Sequence, residues 1–145
     1  VMTAMGGRKS WDTTRYFHWN FFGRRTLLWD KQGQRVRIDS PGDSTTYLVN
    51  LAEGTGKVKK GAVVFEDADS LETYVGIGNR IWINDSYWLV MPFKLKDSGV
   101  TLNYVGQDTT LEGQTAEVLA LTFEEVGVTP QNKYLVYIDP ATNLV

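Results

Sequence analysis

Asn84-Asp85-Ser86-Tyr87-Trp88-Leu89-Val90-Met91-Pro92-Phe93-Lys94-Leu95 is the densest apolar and aromatic run in the chain. Pro92 has no N–H and pushes Met91 toward extended geometry, so a helix running through Leu89 is expected to stop there. Upstream, Asp69 reads as a helix N-cap, with Glu72 three residues later completing a capping-box pattern. Leu71, Tyr74, Val75, Gly78 and Trp82 then recur on one helical face. Gly76 and Gly78 each weaken such a helix by about 1 kcal/mol relative to Ala, which points to a close approach to a sheet or to a bend. Asn84-Asp85-Ser86 reads as the cap of a second short helix ending at Met91.

Strands flank this helical segment on both sides. Arg15, Phe17, Trp19 and Phe21 alternate with Tyr16, His18, Asn20 and Phe22. Arg25, Leu27 and Trp29 alternate with Thr26 and Leu28. After a turn at Lys31-Gln32-Gly33, Arg35 to Asp39 is a half-buried strand with Val36 and Ile38 inward. Ser40-Pro41-Gly42-Asp43 is a second turn signal. Thr46 to Leu51 and Ala62 to Glu66 read as two further strands, joined through Gly54-Thr55-Gly56 and a lysine-rich hairpin. Beyond Pro92, strands are expected over 100–105, 115–123 and 134–139. Gly106 to Gly113 and Gly127 to Asn132 read as loops, and Val1 to Trp11 as a short helical stretch. Eight strands with short connections around one helical insertion predict an α+β fold. Its form is one curved antiparallel half-barrel sheet, with the segment from about 69 to 91 packed on the concave face.

At 145 residues the expectation is one domain. A turn at Asp139-Pro140-Ala141-Thr142-Asn143, with Leu144-Val145 opening a strand, and a start at Val1 predict a domain truncated at both ends. No signal-peptide pattern opens the sequence. The net charge of −2 offers no basic footprint for nucleic acid. The lack of cysteine excludes disulfides, thiolate metal sites and cysteine nucleophiles. No apolar run reaches the roughly 18 residues that cross a bilayer.

Few residues suggest catalysis. His18, the sole histidine, has no Ser or Asp near it in a recognised arrangement and reads as structural. Glu66, Asp67, Asp69 and Glu72 lack calcium-loop spacing and favour the helix N-terminus instead. Gly76-Ile77-Gly78 lies inside a helix pattern and is no nucleotide fingerprint. Lys57, Lys59 and Lys60 suit either anionic headgroups or a charged sheet edge. The aromatic side chains are the strongest signal. Phe17, Trp19, Phe21, Trp29, Trp82, Tyr87, Trp88 and Phe93 are numerous for one small domain, and suit either a filled core or an apolar ligand pocket between helix and sheet. Trp88, just before the proline, is expected to be core. Arg25 or Lys94 could meet a ligand carboxylate at the rim.

The order of parts also resembles a known group. Met5-Gly6-Gly7 with Trp11, Trp29-Asp30, the whole Asn84-to-Leu95 run, Asp97-Ser98-Gly99-Val100, and Tyr137-Ile138-Asp139-Pro140-Ala141-Thr142-Asn143-Leu144 together resemble an uncharacterised bacterial envelope family. That family's domain is similar to the periplasmic lipoprotein carriers and their outer-membrane receptors. The resemblance implies a half-open barrel with helices over its concave face, and a cavity that takes up acyl chains. It implies a location in the periplasm or cell envelope, a partner that is an acyl chain or a lipidated protein, and neither a cofactor nor a catalytic motif. A shared fold is an analogy for function. Two alternatives therefore stand beside a non-enzymatic carrier. One is an interaction module with a filled core. The other is a hydrolase using carboxylates such as Asp30 and Asp85.

Overall fold

The strict inward alternation of β3 (Arg35–Ser40), where Val36 and Ile38 are buried between exposed arginines, sets the pattern of a six-stranded sheet. β1 (Tyr16–Phe21), β2 (Arg25–Asp30), β3, β4 (Thr45–Asn50), β5 (Thr55–Lys60) and β6 (Val63–Val64) pair antiparallel in that order as an open meander, sheet A. β7 (Val100–Thr109), β8 (Thr115–Phe123) and β9 (Tyr134–Ile138) form a second antiparallel sheet, B. Among the described residues there are two α-helices, α1 (Gly7–Thr13) and α2 (Ala68–Lys94), and one 3-10 turn at Pro41–Asp43. This computed structural model describes every residue except Glu125 and Val128, so Val128 of the expected 127–132 loop lies outside the described residues. The class is α+β with antiparallel sheets and a long helix against one of them, as expected, but the strands divide between two sheets rather than forming one.

Residues 14–85 make one compact unit, and residues 1–13 with 86–145 make the other. In the first, the register lines up two inward rows. One is Phe17, Trp29, Val36, Val49 and Gly56; the other is Trp19, Leu27, Ile38, Tyr47 and Val58. Leu27, Val36, Ile38, Tyr47, Val49 and Val58 are buried. The first part of α2 covers this face at Val75, Gly78, Trp82 and Asp85, whose spacing of three and four places them on one side of the helix. A β-carbon on Gly78 would lie 2.9 Å from Val49 Cγ2 and 3.1 Å from Tyr47 Cδ1. A β-carbon on Gly56 would collide with the Leu48 carbonyl and crowd Val75.

Gly56 also explains why the sequence pattern hides β5. Only Val58 supplies an inward side chain between exposed lysines, so the apolar alternation is too sparse to read as a strand. The lysines expected on a hairpin therefore lie on a strand, and the strand expected over 62–66 shrinks to Val63–Val64.

The helix departs from expectation at both ends. Asp67, not Asp69, is the cap: its carboxylate accepts the Ser70 N–H at 2.8 Å, and its carbonyl accepts the Leu71 N–H at 3.0 Å. At the other end α2 is a single helix that passes through Pro92 to Lys94. With only two helical residues after it, the proline forfeits one bond of the last turn. Burial of Val90 and Leu95 around it outweighs the local preference of Met91.

In the second unit, Leu95, Leu121 and Val136 form a core with Tyr87, Met91, Val100, Leu102, Phe123 and Tyr134 around it. β7 extends to Thr109, through part of the stretch expected to be a loop, because a bulge between Tyr104 and Gly106 restores its pairing with β8. The turn at Asp139–Asn143 forms as read: the Asp139 carboxylate accepts from Ala141 N–H and Thr142 Oγ1, and the Asp139 N–H reaches the Leu144 carbonyl at 2.9 Å.

Candidate functional site

The eight aromatic residues singled out in the sequence fall into separate groups. Phe17 stacks on Trp29 at 5.3 Å, and Trp29 meets Trp82 edge to face at 5.4 Å. Trp19 shares their face of sheet A. Phe21 lies under the Arg25 guanidinium, 5.3 Å from its ring centre. Phe17, Trp29 and Trp82 thus contact one another in series, and Trp29 is 7% exposed. The indole N–H groups of Trp19 and Trp82 are buried without an acceptor among the described residues, a cost of about 1–3 kcal/mol each set against burial of the rings.

Tyr87, Trp88 and Phe93 belong to the other unit. Phe93 stacks on Trp11 at 4.9 Å. Tyr87 and Trp88 close a ring of four edge-to-face contacts with Phe123 and Tyr134, at centroid distances of 5.6–6.3 Å. Burial pushes the Tyr87 hydroxyl up to about 12. Trp88 is 52% exposed, so it is not the core residue its sequence position suggests. In the unbroken helix its neighbours in sequence, Tyr87 and Val90, turn toward the interior while Trp88 and Leu89 turn outward.

The two carboxylates considered for catalysis are both committed to arginines, on opposite faces of sheet A. Asp85 is fully buried and takes two bonds from Arg25, Nε to Oδ2 at 2.8 Å and Nη2 to Oδ1 at 3.0 Å, with Asn84 Nδ2 adding a third at 3.0 Å. Arg25 is thereby engaged, and Lys94 pairs with Asp97 at 2.9 Å. Neither is the free rim cation expected from the sequence.

Asp30, on the outer face, accepts from Arg15 Nε and Nη2 at 2.9 and 3.0 Å, from the Gly33 N–H at 2.9 Å and from Arg35 Nη2 at 3.3 Å. The Arg15 bonds, then the Gly33 N–H, hold its carboxyl far below the usual carboxylate range, against a smaller opposing effect of burial. His18 stands exposed opposite Leu28, with no hydrogen bond to an acid or a nucleophile among the described residues. Among those residues no three His, Asp or Glu side chains gather as a metal site.

The outer face of sheet A carries the feature that sequence reading missed. A groove of about 660 Å³ is lined by Tyr16, Leu28, Asp30, Arg35, Arg37, Leu48, Asn50 and Lys57, together with Val36, Val49, Thr55 and Gly56. One cross-strand row reads His18, Leu28, Arg37, Leu48 and Lys57; the next reads Tyr16, Asp30, Arg35, Asn50 and Thr55. Leu28 and Leu48 are 45% and 44% exposed, and Tyr16 is 58% exposed. Arg37 stands between the leucines but turns along its own strand to Asp39, which accepts Nε at 2.7 Å and Nη2 at 3.0 Å. That bond lowers the Asp39 pKa and draws the guanidinium toward the Asp39 side of the face. The available signal was an apolar residue at an outward position on β2 and again on β4, which meet only once the register is known.

The chain matches no protein-family model, no curated relative and no solved structure.

Proposed function

We propose that this protein is a non-catalytic binding module for a hydrophobic ligand, an acyl chain or the lipid of a lipidated protein, in the bacterial cell envelope. The observation that carries this is the groove on sheet A, whose floor holds two leucines, Leu28 and Leu48, nearly half exposed beside Tyr16. Outward apolar side chains clustered in a concavity mark a binding surface more often than isolated ones do. The envelope location rests on the resemblance of the sequence. The pairing of Asp30 and Asp85 with separate arginines on opposite faces removes the basis for a two-carboxylate hydrolase.

This reading moves the ligand from the space between helix and sheet, where Phe17, Trp29 and Trp82 contact one another, to the outer face. It also weakens the affinity expected. Burying a methylene is worth about 0.8 kcal/mol. A shallow groove leaves roughly half of each in water, so ten methylenes supply about 4 kcal/mol, near-millimolar binding for a bare tail.

Dodecanol titrated below its solubility limit and followed by methyl NMR should shift Leu28 and Leu48. Leu48→Asp should abolish the shifts. Shifts confined to residues elsewhere, or equal binding by the variant, would refute the site.

A further inference from the structure

The charges around the groove are not balanced within it. Three cations, Arg35, Arg37 and Lys57, line it against one carboxylate, Asp30, although the chain as a whole is net −2. Two of the four are already engaged. Arg37 is held by both oxygens of Asp39, and Asp30 is held by both nitrogens of Arg15 and by the Gly33 N–H. The other two have donors to spare. Arg35 makes one 3.3 Å bond to Asp30 and its side chain is 64% exposed. Lys57 has no carboxylate within ion-pair distance among the described residues, and its register partner is Leu48.

We propose that the ligand of this groove is an anionic amphiphile whose head is held by Lys57 and Arg35 while its tail crosses Leu48 toward Leu28 and Tyr16. The inference rests on the groove reading above and adds the head group to it. Arg35 lies on β3 and Lys57 on β5, two inter-strand spacings across the sheet and two residues offset along it, roughly 12 Å apart, and Asn50 and Leu48 lie on β4 between them. Two long side chains can reach one carboxylate or phosphate across that separation once Arg35 swings from its 3.3 Å bond to Asp30. From Lys57 to Leu28 is three spacings, roughly 14 Å, a path across the strands that Arg37 leaves clear by turning to Asp39. An ammonium and a guanidinium both suit an oxyanion, and the guanidinium offers it paired donors.

The test compares dodecanoate with dodecanol, which share a tail and differ in charge, both below micelle formation. Binding is read from the Leu28 and Leu48 methyl resonances. Dodecanoate is expected to bind about tenfold tighter at low salt and to lose most of that advantage in high salt. Lys57→Gln and Arg35→Gln should each reduce dodecanoate binding several-fold and leave dodecanol unchanged. Lys57 is exposed and its side chain makes no ion pair among the described residues, so its variant should fold as the parent does. Equal affinity for the two probes, with the methyl shifts present, would overturn the anionic-head inference and leave the groove as a site. Absence of shifts with both probes would overturn the groove itself.

Discussion

Arg25 of β2 and Asp85 of α2 face each other through two parallel hydrogen bonds, 2.8 and 3.0 Å long, sixty residues apart in sequence. They tie the helix to the inner face of sheet A at the point where Trp82 meets Trp29. Asp85 is wholly out of water, whereas the Arg25 side chain keeps 23% of its surface exposed.

Removing Arg25 leaves the Asp85 charge buried and unpaired, which costs about 3–5 kcal/mol. Arg25→Met is therefore expected to unfold the first unit at a much lower urea concentration, and Asp85→Leu, which orphans only the partly exposed guanidinium, to lose less. Replacing both, Arg25→Met with Asp85→Leu, should recover most of the loss seen in Arg25→Met, because the cost lies in the orphaned charge. Denaturant midpoints of the two single variants and the double variant measure this. A double variant as unstable as Arg25→Met would show that the ion pair itself supplies the stability.

The two glycines of α2 are expected to respond in opposite directions. Gly78 has Val49 and Tyr47 within 2.9–3.3 Å of where a β-carbon would stand, so Gly78→Ala must push the helix off the sheet. Overpacking of this kind costs about 1–3 kcal/mol. At Gly76 the nearest group is Arg80 Nη1 at 3.9 Å, and Gly76→Ala should stabilise by up to about 1 kcal/mol. Thermal midpoints moving the same way in both variants would contradict this account.

Trp29 of the first unit and Trp88 of the second separate core from surface. Trp29 is 7% exposed and Trp88 is 52% exposed. Trp29→Ala is expected to cost about 3–5 kcal/mol. Trp88→Ala forfeits two edge-to-face contacts and part of a ring's burial, about 1–2 kcal/mol. Comparable losses from the two substitutions would mean that Trp88 is covered in solution.

The parts of the fold legible in the sequence are those where one residue type dominates a face. Val36 and Ile38 announce β3, and Leu71, Val75, Gly78 and Trp82 announce the inner side of α2, because burial demands apolar groups at fixed periods. β5 was illegible because its inward positions are Gly56 and Val58, and the value of Gly56 lies in the space it leaves for Val75. Pro92 misled because a proline's local preference is small against the burial of Val90 and Leu95 around it. The aromatic residues were legible as a group but not as separate clusters, since composition carries no register. The groove was hidden for the same reason: Leu28 and Leu48 are twenty residues apart and become neighbours across Arg37 only through two strand pairings.

Asp30 provides a test that depends on acid. Its carboxylate is stabilised in the folded state by Arg15, the Gly33 N–H and Arg35, so its folded pKa lies below the unfolded value of about 3.9. A depressed pKa means that the folded protein binds fewer protons than the unfolded chain. The contribution is therefore complete above the unfolded value and is lost as pH falls through the folded one. Asp30→Asn keeps an oxygen for the Gly33 N–H but removes the charge facing Arg15. At neutral pH the variant should be less stable than the parent. The gap between their urea midpoints should hold constant down to about pH 5 and narrow steadily below about pH 4. The Asp39 carboxyl is also lowered by Arg37, but it is present in both proteins and cancels in the difference. A gap that stays constant to the lowest pH at which both proteins fold would show that folding does not lower the Asp30 pKa and that its charge contributes nothing to stability.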